Sequence, residues 1–137
     1  MAINRRTFIA SLAALGLSGF LPVPARGEGG HGYLSTGFDT LSKHHMVSRL
    51  GADLALLWDL PLPARGHGAT VRPGSDEGLV VARRPGSFAI VFDLHDGRQR
   101  RRIDPVAGRH FYGHGIYSAD GRTLWMSENV YQSGDGM

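Results

Sequence analysis

A chain of 137 residues has room for one small domain, and the absence of cysteine excludes disulfides and thiolate metal sites as its staples. The formal charge of +3 is largely due to Arg5 and Arg6. The remainder carries 13 basic against 12 acidic residues, a balance that does not call for a nucleic-acid partner. Twenty glycines and seven prolines favour a turn-dense β architecture over a helical bundle.

The chain opens with a charged segment and then an apolar one. Asn4-Arg5-Arg6-Thr7-Phe8-Ile9 has the form of a twin-arginine motif, and an uncharged run from Ala10 to Leu21 follows it. Pro22-Val23-Pro24-Ala25 then offers small side chains where a signal peptidase cuts. The apolar run is too short to span the ~30 Å hydrocarbon core, which needs about 20 residues. Residues 1–25 are therefore read as an export signal helix with Arg5, Arg6 and Phe8 as its recognition residues. The expected partner is the twin-arginine translocase and the expected destination the periplasm. Residues 26–33, rich in glycine, read as a linker to a domain over residues 34–137.

Beyond the linker the sequence repeats itself. Leu34–Phe38, His45–Leu50 and Leu54–Leu60 read as three strands. His67–Arg72 begins a second unit, closed by Pro73-Gly74. Leu79–Arg83 follows, closed by Pro85-Gly86. Phe88–Leu94 is an apolar run between turns and should be buried on both faces. Asp96-Gly97 signals a hairpin into Gln99–Ile103. Arg100, Arg101 and Arg102 on that last strand suit a sheet edge that must not pair with another chain. Lacking interleaved aromatics, they do not make a nucleic-acid site.

His114–Ser118 and Leu124–Glu128 start a third unit, and Ser133-Gly134-Asp135-Gly136-Met137 has a turn composition with no strand expected in it. Gly66-His67-Gly68 recurs as Gly113-His114-Gly115, 47 residues on, and Leu50 matches Leu94 at a spacing of 44. A period of about 45 residues is that of a four-stranded propeller blade. The expected fold is an all-β, partial β-propeller of about two and a half blades, fewer than the four to eight with which propellers close. Trp58, Trp125 and Met126 on its outer units are expected to be exposed or poorly packed.

Several longer segments carry a resemblance. Leu60-Pro61-Leu62-Pro63-Ala64-Arg65-Gly66-His67-Gly68, Ala82-Arg83-Arg84-Pro85-Gly86 and Phe92-Asp93-Leu94 are three of them. Arg109-His110-Phe111-Tyr112-Gly113-His114-Gly115 and Ser118-Ala119-Asp120-Gly121-Arg122 are the others. From about Leu34 onward they resemble the bacterial twin-arginine-exported family called domain of unknown function 1513. The resemblance implies a seven-bladed propeller related to the β-chain of quinoprotein amine dehydrogenases. It also implies an association with periplasmic iron-uptake proteins, and no established activity. Members of the family continue for several more blades after the segment matching Glu128-Asn129, so the chain reads as a truncated copy.

Seven histidines, His31, His44, His45, His67, His95, His110 and His114, are candidate metal ligands in a cysteine-free exported protein. If the first strand of each unit is innermost, His67 and His114 start two neighbouring inner strands and converge as half of a transition-metal site. The competing reading is that each imidazole simply hydrogen-bonds the next unit. Arg83 and Arg84 end one strand and should face opposite sides. One is expected to pair with a carboxylate such as Asp93 or Glu128. The other is expected to join Arg109 and His110 in a cluster for an anionic ligand, such as a carboxylate, phosphate or ferric chelate. No nucleophile–base motif or phosphate-binding loop is present. A binding or accessory protein is the leading expectation, and a metal-dependent or quinoprotein-like oxidoreductase the rival.

Overall fold

The computed structural model describes residues 32–130 and 135–136. The segment read as an export signal, with Arg5, Arg6 and Phe8, lies outside the described residues, as does all of the expected linker before Gly32. Among the described residues every regular element is a strand, and no helix is long and apolar enough to cross a membrane.

Three antiparallel sheets follow one another along the chain. The first joins β1 (Tyr33–Asp39), β2 (His44–Leu50) and β3 (Leu56–Leu62). The second, with strand order matching sequence order, joins β4 (Gly66–Val71), β5 (Glu77–Ala82), β6 (Ala89–Asp93) and β7 (Gln99–Ile103). The third joins β8 (Arg109–Tyr117), β9 (Leu124–Val130) and the two-residue β10 (Asp135–Gly136). Short turns select this meander. Between β4 and β5, and again between β8 and β9, Gly74 and Gly121 adopt φ of +69°. At the β6–β7 hairpin Gly97 adopts φ of +72°, and its N–H donates to the Asp93 carbonyl at 3.0 Å.

The second sheet is covered on both faces, as its apolar runs require. Period-two alternation sends Val80, Ala82, Ile90 and Phe92 to one side, where Val47, Leu62, Phe88 and Leu94 complete a buried core with the first sheet. Leu79, Val81, Ala89 and Val91 point the other way, against Phe111 of β8 and the partly buried Tyr117, Leu124 and Met126. Strand β4 packs against β1 and β2 on one side and against β8 on the other. The sheets thus stack with the first strands of the second and third units side by side. At the opposite edge, β7 carries Arg100, Arg101 and Arg102 into solvent.

Four expectations are corrected. The third strand begins at Leu56 rather than Leu54, because Asp53 accepts a bond from the Ala55 N–H (3.0 Å) in a turn that places Leu54 at φ +65°. Strand β8 starts at Arg109 rather than His114, with an irregularity between Phe111 and Gly115 that lets a glycine-rich stretch stay paired with β9. The tail does form a strand, Asp135–Gly136, on β9. Finally, Trp58 and Met126 are packed. The Trp58 indole meets Phe92 edge-on with centroids 5.5 Å apart, and its N–H donates to the Leu94 carbonyl at 3.0 Å. Met126 lies against the second core. Trp125 does remain 58% exposed.

Candidate functional site

The side-by-side approach of β4 and β8 brings the two histidines of the repeat together. The His67 and His114 rings meet edge-on, centroids 4.9 Å apart and planes at 80°. Glycine makes this approach close. A Cβ on Gly68 would lie 2.6 Å from the Gly113 carbonyl oxygen, and a Cβ on Gly113 would lie 2.6 Å from the His67 ring. Gly68 and Gly113 are thus the means by which two backbones touch and one imidazole lies over the other strand.

Two arginines border the pair. Arg65 precedes β4 and Arg83 follows β5, and the Arg83 N–H donates to the Arg65 carbonyl at 3.4 Å. The Arg83 guanidinium lies over the Tyr112 ring, 5.2 Å from its centroid. Tyr112, Gly113 and His114 are consecutive on β8, so this contact ties Arg83 to the strand that supplies the second imidazole. Burial holds the His67 pKa below the usual imidazole value, and the positive fields of His114, Arg83 and Arg65 act in the same direction. The permanent charges in that set, Arg83 and Arg65, are both cations.

The remaining sequence candidates are placed differently. Asp93 pairs with Arg100 and Glu128 with Arg109 (3.5 Å), and among the described residues Arg83 pairs with neither. Arg109 has its charge offset by that pair across β8 and β9. Half-buried His110 sits opposite Asn129 in the same ladder. Arg84 is exposed in the turn between β5 and β6. Among the described residues no group of three or more His, Cys, Asp or Glu side chains gathers as a metal site, so the histidines stand as a pair.

A family model described as Protein of unknown function (DUF1513) matches residues 60–137, more than half of the chain and all of the site just described. The chain belongs to this family. No curated protein and no solved structure matches it. Within this DUF1513 member, sequence reasoning missed Arg65 and Tyr112. A signal for them existed: each stands two residues before the histidine of its unit, Arg65 before His67 and Tyr112 before His114. Aligning the repeat one residue further outward would have raised both.

Proposed function

We propose that the chain is an exported, periplasmic binding or accessory protein on a β-propeller scaffold, of the kind associated with iron uptake, and that its ligand end is the His67–His114 junction. Three observations support the scaffold: consecutive antiparallel meanders, a repeat of about 45 residues, and inner strands β4 and β8 in contact. The observation that carries the functional part is the meeting of two repeat-equivalent imidazoles at 4.9 Å, with the cations Arg83 and Arg65 acting on one of them. Such an arrangement suits holding a ligand. It lacks the base–nucleophile pairing that would start a hydrolytic reaction.

Export is the part of this reading that the twin-arginine motif supports, and cell fractionation tests it. The full chain is expected in the periplasmic fraction, and the double variant Arg5→Lys, Arg6→Lys is expected to stay in the cytoplasm. Undiminished export of that variant would remove the twin-arginine assignment.

A further inference from the structure

The arginines near the two imidazoles differ from those that hold the sheets together. Arg72, Arg100, Arg102 and Arg109 each pair with an aspartate or glutamate. Arg65 and Arg83 do not: among the described residues no carboxylate lies within ion-pair distance of either. Arg65 precedes β4, Arg83 follows β5, and the backbone bond between them holds both on the side of the two imidazoles. The Arg83 guanidinium is also oriented. Its Cζ lies 5.2 Å from the Tyr112 ring centroid, and the planar guanidinium carries N–H donors that a bidentate acceptor can take in pairs.

We propose that this end of the molecule is an oxyanion site, in which Arg83, seated on Tyr112 beside Arg65 and the His67–His114 pair, clamps the carboxylate or phosphate group of a small ligand. The proposal rests on the binding-protein reading and names the chemistry of its ligand. Electrostatics decides for an anion over a metal cation. A divalent cation would enter a site beside the cations Arg83 and Arg65, with two imidazoles where such ions take three or four protein ligands. An oxyanion instead meets a planar cation with unused donors, a second cation and two rings able to donate N–H. The Gly68 and Gly113 contacts between β4 and β8 hold the His67 ring against β8 without a ligand, so little ordering cost falls on that part of the site.

Calorimetry on the full chain tests this, with citrate as the carboxylate probe, inorganic phosphate as the phosphate probe and chloride as the control. At least one oxyanion is expected to saturate in the micromolar to millimolar range, and the better of the two assigns the ligand group. Arg83 is exposed, so Arg83→Ala should keep the fold, checked by circular dichroism, and weaken binding by about tenfold or more. Arg83→Lys keeps the charge without the planar fork and should recover only part of the loss. In a proton NMR titration the bound anion should move the His67 pKa upward, against the fields of His114, Arg83 and Arg65. Absence of saturable binding by both probes overturns the proposal, as does Arg83→Ala binding as tightly as the parent. If Zn²⁺ or Cu²⁺ binds instead, and His67→Ala abolishes that binding, the oxyanion assignment falls and the binding-protein reading stands. Failure of the oxyanions and both metals together would count against both.

Discussion

Gly113 holds φ at +92° with the His67 ring where its side chain would be, whereas Gly37, in the middle of β1, has nothing within 4 Å of a Cβ. The two glycines therefore have opposite meanings. Gly113→Ala must strain the backbone and push His67 off β8, at a cost of about 1–3 kcal/mol. Gly37→Ala removes only freedom from the unfolded chain and should be neutral or stabilising by about 0.5 kcal/mol. Urea unfolding of the two variants checks the contrast, and a His67 resonance shift only in Gly113→Ala would locate its cause. Equal effects would mean that the β4–β8 approach is looser than the structure shows.

Strand β7 is an edge, and it is tied inward by charge. Arg100 reaches across to Asp93 at the end of β6 and to Glu77 on β5, 3.3 Å away, and Arg72 holds Glu77 from β4's end at 2.9 Å. The Glu77 carboxyl is held below the usual range chiefly by its bond from Arg72, and Asp93 by its bonds from Arg100 and the His95 N–H. Folded values below unfolded ones mean that these carboxylates stabilise the fold above their unfolded pKa. That contribution is lost as pH falls below about 4. Arg100→Ala should accordingly lower the urea midpoint modestly at neutral pH and leave it nearly unchanged at pH values where both carboxyls are protonated. A variant destabilised equally at both pH values would show that Arg100 acts through packing of its stem, not through charge. The same strand shows how one residue can serve two ends: Arg102 pairs with Asp104 at 2.8 Å while its guanidinium lies over Phe88, 5.2 Å from the ring centroid.

At the scale of the whole molecule the second sheet is the keystone, because it contributes alternate residues to two separate cores. The first sheet answers it with Val47 and Leu62, both buried. The third answers it with one fully buried side chain, Phe111, helped by partly buried neighbours. Phe111→Ala should therefore cost about 3–5 kcal/mol, a large part of the stability of a small domain. Chemical denaturation reads this as a lower midpoint. A loss below about 1 kcal/mol would mean that the third sheet is held mainly by the β4–β8 backbone contact. On the face turned away from the second sheet, Ile116 and Trp125 are cross-strand partners, 65% and 58% exposed, an apolar pair beyond the reach of either core.

The sequence by itself determined the strands wherever turn residues and alternation spoke together. Pro73-Gly74 and Asp96-Gly97 placed hairpins, and the unbroken apolar run at Phe88–Leu94 announced burial on both faces, because a strand with no polar side has no face to give to water. Repetition of Gly-His-Gly likewise singled out His67 and His114 before their contact was seen. The tertiary structure decided what pairing and through-space charge control. Strand β10 exists because β9 offers an unpaired edge, a property of backbone groups that no side-chain pattern records. Trp58 is packed because Phe92 and Leu94, more than thirty residues away, are where its ring and N–H end up. Asp93 and Glu128 went to Arg100 and Arg109, which left Arg83 to stack on Tyr112. Competition among several arginines for few carboxylates is settled by distances in space, and spacing along the chain carries no record of them.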